Sequence, residues 1–584
     1  DKDGDPVFPS VKSPECFQPN ALGVLPPRDV LPVIFVPGIA GSNLQLKGGE
    51  EVWVPPNGAS DIGKVWDMTK RSLRERQELF DPENTEVHSN GECSIDDQTY
   101  WLNEDEARRR GWGSVHALSY NAFLQRLEVS LNDQYILPGR AGKDGNRRML
   151  VFGLLQYLAG GPEPRKPDNR TRRGWVDDPG LKYAYHAKKT MKVWGQRPRA
   201  LTPEEMGRLD DYYYPVWAYG YNWLGDPEEA AKGLVERIES VLKDYERGRY
   251  FRHQGKVILV THSMGGLIAR RAAQMDGSKI LGVVHGVCPL VGAAVLYRRL
   301  RSGQEGGGVA AAIMGNTQAE MTVQLGRSPG AFTLAPTKDY PMNWLRVYAT
   351  DQEEDPIFSL PKTDPYTEVY AETDAWWRMV EPDLLDPKQV MTSYNKSPTP
   401  VEAYKTAIGM AEDFHDRLGL HAHPETYGFY GSDDKEYRSF GHVSWLNVSR
   451  KSHAPGGVMN AEYNTPERRK VFATQKGSHH QNGEAVVNVP DTISRPENRW
   501  APIHFRLSEE RNQAGDGTVP ICSGEMLRKL TPPLQEVLGI PGYDHQAAFN
   551  NQYAYRATIY FIARIVQKAA PPPKGTSSCS APTS

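Results

Sequence analysis

Short apolar runs alternate with amphipathic stretches along parts of this chain, and the alternation predicts a parallel β-sheet. Leu31–Val36, Lys256–Val260 and Ile280–Val284 are almost wholly apolar, as is typical of strands buried on both faces. Because amphipathic segments separate such runs, the pattern indicates strand–helix–strand units. Weaker strand signals lie at Tyr214–Tyr221, Trp344–Ala349 and Tyr427–Tyr430.

The helices predicted between these strands carry recognisable boundary signals. Asp226 is a suitable N-cap, and Pro227 fits the first helical turn that follows it. Leu234, Ile238, Val241 and Leu242 then give this helix one apolar face. The same reasoning predicts helices at Leu267–Met275 and Ala554–Lys568.

Two long regions lack this rhythm, and we interpret them as insertions that form a cap. The predicted first cap insertion covers 45–211, and the second covers 350–424 and 447–499. An α/β core remains, made of 31–44, 212–349, 425–446 and 500–568, with an irregular lead-in at 1–30 and a loose tail at 569–584. A chain of 584 residues exceeds what one hydrophobic core usually organises, which agrees with this division.

Composition excludes several classes of protein. Hydrophobic residues make up 39% of the chain, enough to bury a core, so the chain is not a disordered polymer. The formal net charge of −3 and the lack of a long basic run give no reason to expect a nucleic-acid partner. Ile280–Tyr297 carries no charged residue, but its proline and three glycines favour a buried strand and turn over a membrane-spanning helix.

The cysteines are scattered, odd in number and without a CxxC pair, which argues against a zinc site and a disulfide framework. We interpret them as free thiols of a protein made in a reducing cytoplasm; a single disulfide bridge is the alternative interpretation. No signal peptide is visible, although the chain starts at Asp1 and a removed segment stays possible. The five cysteines are Cys16, Cys93, Cys288, Cys522 and Cys579.

The segment Thr261–Gly265 (THSMG) predicts a nucleophile elbow with Ser263 as the nucleophile. In such an elbow a serine occupies a strained strand-to-helix turn, so that its hydroxyl projects above the sheet. Thr261 stands where the first glycine is usual, but its side chain is small enough to fit. The pattern alone is weak, whereas its place between a buried strand and an amphipathic helix makes it specific.

A serine hydroxyl needs a base to take its proton and an acid to orient that base. In this architecture the acid and the histidine follow the serine along the chain. Asp516 lies between two glycines and His545 lies in a turn before the last helix, so we predict them as acid and base. Asp433 and Asp434 are reserve candidates for the acid, and Asp544 fits a turn residue better.

Three other histidines compete with His545 for the role of base. His262 adjoins the nucleophile and is expected to point away from the site. His285 falls within the strand after the nucleophile helix and is expected to be packed there. His442 precedes Asp516, which is the wrong order for this fold.

Acyl transfer also needs donors for the oxyanion of the tetrahedral intermediate. One donor in this architecture is the backbone N–H after the nucleophile, here Met264. The other comes from a loop after an early strand, which places Ile39 first and Ala40 next. An ordinary glycine turn at Pro37–Ile39 is the alternative.

The segments Phe35–Leu44, Thr261–Gly266 and Gly515–Pro520 with Asp544-His545 resemble the lecithin:cholesterol acyltransferase-like lipases and the phospholipase effectors of bacterial type VI secretion. The resemblance covers separate blocks and not the insertions. It implies an α/β-hydrolase fold with large cap insertions and a phospholipase A that needs no cofactor. The absence of a visible signal peptide, the odd number of cysteines and the insertions favour the effector group.

The effector resemblance further implies an antibacterial toxin that is made in a bacterial cytoplasm and delivered to the periplasm of a target cell. Its implied partners are membrane phospholipid, a cognate immunity protein and a secretion-spike protein. A general lipase or a lipid acyltransferase is the alternative enzyme, and a non-catalytic hydrolase-like binding module is the alternative of another class. No EF-type spacing supports a structural calcium.

The segment Gly306–Val323 has the features of a mobile lid over an apolar site. Three glycines at 306–308 supply a hinge and Val309–Met314 supplies an apolar patch. A buried helix with a flexible lead-in is an equally good interpretation.

Overall fold

The computed structural model describes residues 28–55, 62–95, 102–132, 189–195, 198–199, 201–247, 250–305, 313–348, 355–389, 399–448, 475, 477–490 and 500–571. At its centre lies a six-stranded sheet in which all neighbouring strands run parallel. The spatial order is β6, β5, β4, β3, β1, β2. The strands are β1 (Val33–Val36), β2 (Val216–Ala218), β3 (Val257–His262), β4 (Ile280–Gly286), β5 (Thr426–Gly431) and β6 (Glu536–Ile540).

Sequence patterns predict five of these strands and miss β6. The residues of β6 include Glu536 and Gly539, and Pro533 and Pro541 stand close to its ends, so the segment has the composition of a loop. It forms an edge strand because it pairs in register with β5 over its full length.

Side chains of the central sheet alternate between two apolar cores, one on each face. In β1, Ile34 and Val36 enter one core, while Val33 and Phe35 enter the other. Both faces are therefore buried, which explains why the strands are apolar throughout. Four long helices contribute to these layers: α1 (Ala117–Asn132), α2 (Pro227–Arg247), α3 (Gly265–Asp276) and α4 (Gln552–Val566).

Helix α2 begins where the sequence predicts. The Asp226 carboxylate accepts the N–H of Glu228 at 2.8 Å, and Pro227 is the first helical residue. The predicted apolar face of α2 is buried with α3 in the first core, and the Arg271 side chain of α3 donates to Glu228 of α2. The buried face consists of Leu234, Ile238, Val241 and Leu242.

Helix α1 packs on the central sheet, although it lies within 45–211, which the sequence pattern predicts as the first cap insertion. Phe123 of α1 lies 5.4 Å from the ring of Phe35 in β1 and 4.4 Å from the ring of Phe549. The apolar stripe of this helix is weak in the sequence, because polar Glu128 and Asn132 lie on the buried face beside its aromatic and leucine side chains. A region assigned to the cap thus supplies one layer of the core.

A second six-stranded sheet uses segments that the prediction distributed between core and cap. The segment Trp344–Ala349, predicted as strand-like within the core, contains the strand Leu345–Tyr348, which pairs antiparallel with Phe358–Leu360 and parallel with Val443–Asn447. Periodicity identifies a strand without identifying the sheet that it joins, and this strand belongs to the second sheet. The remaining strands of this sheet are Trp500–Leu507, Glu484–Pro490 and Gly477–Gln481. The overall division into core and insertions stays a prediction.

The other described elements are short, apart from the 19-residue helix Pro400–Leu418. A three-stranded sheet contains Glu51–Trp53, Leu44–Leu46 and Thr85–Val87, and Asp29–Val30 pairs with Arg252–His253. The further α-helices are Ile62–Lys70, Leu73–Leu79, Glu104–Arg109, Pro203–Gly207, Val295–Ser302, Gln318–Leu325, Pro329–Phe332, Pro400–Leu418 and Ile521–Gly524. Single turns of other helix types are Trp112–Ser114, Arg208–Asp211, Tyr366–Tyr370, Pro382–Leu384, Glu525–Lys529 and Ala548–Asn550.

The predicted lid segment falls partly outside the described residues, which omit 306–312. Its described part is packed: Ile313 belongs to the first core, and its carbonyl accepts a hydrogen bond from the buried Arg76 guanidinium. Helix Gln318–Leu325 follows, fixed at its start by a capping box between Thr317 and Glu320. From 313 onward the segment therefore follows the buried-helix interpretation.

Three of the five cysteines lie in described regions and are free: Cys93, Cys288 and Cys522. Burial raises the pKa of the Cys288 thiol to about 12, so it is an unreactive core residue. Cys16 and Cys579 lie outside the described residues. Across the described helices, none combines the length and the apolar character needed to cross a membrane.

Candidate active site

Ser263 occupies the sharp turn between β3 and α3. Its φ of +53° lies in the left-handed region that non-glycine residues rarely adopt. The backbone is held there because the Ser263 N–H donates to the Gly286 carbonyl at the end of β4, at 3.0 Å. The predicted elbow geometry is present, with the serine side chain at the carboxyl edge of the sheet.

Two glycines let α3 approach the sheet closely enough to make this turn. A Cβ on Gly265 would lie 2.4 Å from the Val36 carbonyl oxygen, and one on Gly266 would lie 2.6 Å from Cys288 Sγ. Thr261 takes the place of the usual first glycine, and its hydroxyl lies 2.9 Å from Nδ1 of His285. His285 is packed inside the sheet as expected, and burial lowers its pKa to about 3.

The structure brings Ser263, His545 and Asp516 into one hydrogen-bonded chain. The His545 Nε2 atom lies 2.8 Å from Ser263 Oγ, and its Nδ1 atom lies 2.8 Å from Asp516 Oδ2. Asp516 is fully buried, and its Oδ1 accepts the N–H groups of Thr518 and Val519. These contacts fix the carboxylate, which in turn orients the imidazole so that Nε2 faces the serine.

The reserve aspartates occupy other positions. Asp433 Oδ1 accepts three backbone N–H groups of the turn at 435–437, and Oδ2 accepts the N–H of Gly542. Burial alone would raise the pKa of Asp433, but these donors lower it below its usual value. Asp433 therefore ties two loops together, while Asp434 and Asp544 are exposed, the latter capping the turn at Gln546.

The sequence predicts that His262 points away from the site, but its side chain lies beside His545. Its ring is buried, with 5.1 Å between its centroid and that of His545, and its Nε2 lies 3.0 Å from the His545 carbonyl oxygen. A residue before the nucleophile is normally directed to the opposite side of the strand, but β3 ends at this residue. His442 instead bonds through its backbone to Asn512.

The predicted oxyanion donors lie in two adjoining turns. Within the described part of the chain, the N–H groups of Ile39 and Met264 donate to no protein acceptor. The turn after β1 is held by Ala40 in the left-handed region, at φ +56°, and by the Trp53 indole donating to the Ala40 carbonyl. A Cβ on Gly38 would lie 2.8 Å from Ser263 Cβ, so this turn abuts the nucleophile.

This arrangement can perform acyl transfer with protein groups alone. A nucleophile, an oriented base and free backbone donors meet at the carboxyl edge of a parallel sheet, where α/β proteins place their sites. Among the described residues, no group of three or more His, Cys, Asp or Glu side chains is arranged to hold a metal ion.

Comparison with known proteins supports this interpretation. A model of the alpha/beta hydrolase family matches residues 190–411. The crystal structure of the Tle4–Tli4 complex contains a chain similar to this one, with 28% sequence identity, a TM-score of 0.64, and coverage of 93% of this chain and 100% of the matched chain. None of the curated proteins that were compared matches.

These findings confirm the predicted α/β-hydrolase fold and support a hydrolase of the lipase or esterase class. They also support the resemblance to bacterial type VI secretion lipase effectors that the motifs indicated.

Proposed function

We propose that the protein is a serine ester hydrolase, specifically a phospholipase A that acts on membrane phospholipids. The observation that carries this proposal is the hydrogen-bonded chain from Ser263 through His545 to the buried Asp516. Packing alone does not explain a buried carboxylate that orients a histidine toward a strained serine, because burying the charge costs desolvation free energy and the serine backbone costs strain energy.

The reaction follows from the geometry. Ser263 Oγ attacks the ester carbonyl while His545 Nε2 takes its proton, and the Ile39 and Met264 amides stabilise the oxyanion. The intermediate collapses as His545 returns the proton to the leaving alcohol oxygen, which leaves the fatty acyl group on Ser263. A water molecule, deprotonated by His545, then attacks the acyl carbonyl; the bond between the acyl carbon and Ser263 Oγ breaks, His545 returns the proton to Oγ, and the fatty acid is released. Asp516 keeps Nδ1 protonated throughout and stabilises the imidazolium.

The biological role belongs to the same proposal. We infer an antibacterial effector made in a bacterial cytoplasm and delivered to the periplasm of a target cell, where phospholipid is available. The matched structure is a complex of two proteins, Tle4 and Tli4, which supports a protein partner for this chain. A cognate immunity protein and a secretion-spike protein are the partners that the resemblance implies.

The first test asks whether Ser263 is an activated nucleophile. The protein should react with a fluorophosphonate probe and release fatty acid from mixed phospholipid vesicles, as followed by lipid mass spectrometry. Ser263→Ala should abolish both, with a loss on the order of 10⁶ in turnover. Ser278→Ala is the matched control, because the hydroxyl of this exposed serine only donates to the Asp276 carboxylate.

The products distinguish the alternatives. Free fatty acid from phospholipid supports the proposal, whereas acyl groups moved to an added alcohol indicate a transferase. Cleavage of triglyceride with phospholipid left intact indicates a general lipase. An unlabelled, folded protein that binds vesicles without cleaving them would make the chain a binding module and refute the proposal.

A further inference from the structure

A second chain of hydrogen bonds runs behind the catalytic groups and joins the two loops that they depend on. The Gly38 N–H lies 3.4 Å from the Tyr120 hydroxyl oxygen, and that oxygen lies 2.9 Å from His262 Nδ1. On the other side of the ring, His262 Nε2 lies 3.0 Å from the His545 carbonyl oxygen. Tyr120 and His262 are both almost wholly buried.

The chemistry of the groups decides which of them donates in each of these hydrogen bonds. A carbonyl oxygen only accepts, so His262 Nε2 carries a proton and donates it to His545. Burial lowers the pKa of His262 to about 3, so the ring is neutral near pH 7 and Nδ1 accepts. Tyr120 therefore donates its hydroxyl proton to His262, and its oxygen is left to accept the Gly38 N–H.

We propose that Tyr120 and His262 are positioning residues that lock the backbone of the base, His545, and the oxyanion loop into a single arrangement around Ser263. This inference rests on the proposed ester hydrolase activity. The His545 backbone is held on both sides, since its N–H donates to the Asp516 carbonyl at 2.7 Å and its carbonyl accepts from His262.

The position of this backbone controls the reaction because the imidazole must stay within hydrogen-bond reach of Ser263. A misplacement of 1 Å at a reacting group costs about 10² in rate. At the other end of the hydrogen-bond chain, Gly38 directly precedes Ile39, whose N–H is the proposed oxyanion donor. Losing the Tyr120 hydroxyl therefore loosens both the base and the oxyanion donor.

Tyr120→Phe tests this with little disturbance of packing. The Tyr120 ring packs 4.8 Å from the ring of Phe35, and phenylalanine preserves that contact. Tyr404→Phe is the matched control, because Tyr404 is equally buried and its hydroxyl donates only to the Tyr370 carbonyl, at 2.7 Å. Both variants lose a buried hydroxyl, so their melting temperatures should fall by similar amounts.

The expected result is a split between the two variants in turnover. With a short soluble ester, kcat of Tyr120→Phe should fall by about 10- to 100-fold with KM within about twofold, while Tyr404→Phe keeps wild-type kcat. The rate of fluorophosphonate labelling of Ser263 should fall in parallel. Equal kcat values in the two variants would show that the Tyr120 hydroxyl serves stability alone, and the proposal would fail.

A second series at His262 covers the case in which Tyr120→Phe does not fold. His262→Gln keeps an N–H near the Nε2 position for the His545 carbonyl, whereas His262→Asn keeps only an acceptor near Nδ1 for Tyr120. The glutamine variant should retain at least about tenfold more kcat than the asparagine variant. Equal activity of the two contradicts the role given to the His545 carbonyl bond. A wild-type protein that neither cleaves the ester nor takes the probe refutes the proposed function itself.

Discussion

Replacing Asp516 by asparagine tests the assignment of the catalytic acid with almost no change in volume. The Oδ1 atom of Asp516 accepts the backbone N–H groups of Thr518 and Val519, so the asparagine oxygen should keep that position. The new NH₂ group then faces Nδ1 of His545, 2.8 Å away in the native protein. Two donors cannot face each other, so the imidazole must move its proton to Nε2. An Nε2–H cannot accept the proton of Ser263.

The magnitude follows from this change of tautomer. The same substitution in a serine protease lowers kcat by about 10⁴, which corresponds to about 5.4 kcal/mol in activation free energy. We expect a similar loss for Asp516→Asn on a short soluble ester, with the Ser263 position unchanged. Burst kinetics with a chromogenic ester separate acylation from deacylation, and both steps should slow because each uses His545 as a base.

Asp433→Asn is the comparison that makes the test decisive. Asp433 accepts four backbone N–H groups, and an asparagine would turn one acceptor into a donor facing either Gly542 or the turn at 435–437. This mismatch should lower stability by about 1–3 kcal/mol and leave kcat of the folded enzyme within about tenfold. If Asp433→Asn is inactive while Asp516→Asn stays within tenfold of wild type, the acid assignment is wrong.

Two further predictions concern stability. Gly265→Ala should lower the free energy of unfolding by about 1–3 kcal/mol and reduce kcat, because its Cβ would collide with the Val36 carbonyl. As the control, Gly409→Ala should raise the melting temperature, because Gly409 lies in the middle of a helix with open space around its Cβ, and alanine stabilises such a helix by about 0.5–1 kcal/mol. A Gly265→Ala variant as stable and active as wild type would refute the close packing. The melting temperature should also fall as pH drops from about 6.5 toward 4, because burial lowers the pKa of five histidines to about 3 or 4 in the folded protein. In this pH range the unfolded chain binds more protons than the folded one, so the free energy of unfolding falls by up to about 1.4 kcal/mol per histidine and pH unit. A constant melting temperature from pH 7 to 4.5 would contradict this prediction. These histidines are His116, His262, His285, His415 and His442.

The parts of the site that the sequence predicts are those whose chemistry imposes a local pattern. The elbow at Ser263 requires a strand, a strained turn and small residues that follow one another directly, so a short window contains the whole signal. Asp516 and His545 were identified by chain order and by turn residues around them. Their hydrogen bonds to each other and to Ser263 are long-range contacts, which only the structure describes.

The parts that escaped prediction depend on partners distant in sequence. Strand β6 has a loop-like composition and is a strand because its backbone pairs with β5. His262 was expected to face away, because the alternation of a strand was extended one residue past the point where the elbow begins. A histidine beside the nucleophile and a tyrosine in a distant helix carry no shared sequence signal, so the chain linking Tyr120 to His545 could not be inferred.

The route of the chain to Asp516 shows how the acid keeps its place although the chain leaves the central sheet before reaching it. Between β5 and Asp516 the chain leaves the central sheet and builds four strands of the second sheet, Val443–Asn447, Gly477–Gln481, Glu484–Pro490 and Trp500–Leu507. It returns through a narrow neck, where Asp433 and Gly515 exchange N–H and carbonyl groups at 2.9 Å in both directions.

The same neck places the acid directly on the end of β5. Gly431, the last residue of β5, has no side chain, and a Cβ there would lie 2.4 Å from Asp516 Cβ. Beyond it, Ser439 and Gln513 form a second bridge of the same kind. Because these bonds fix Asp516 relative to β5, changes in the length or packing of the segment between Ser439 and Gln513 need not move the carboxylate. The position of the acid is therefore set by the central sheet, as is that of Ser263 at the end of β3, and the second sheet can vary in shape without disturbing the triad geometry.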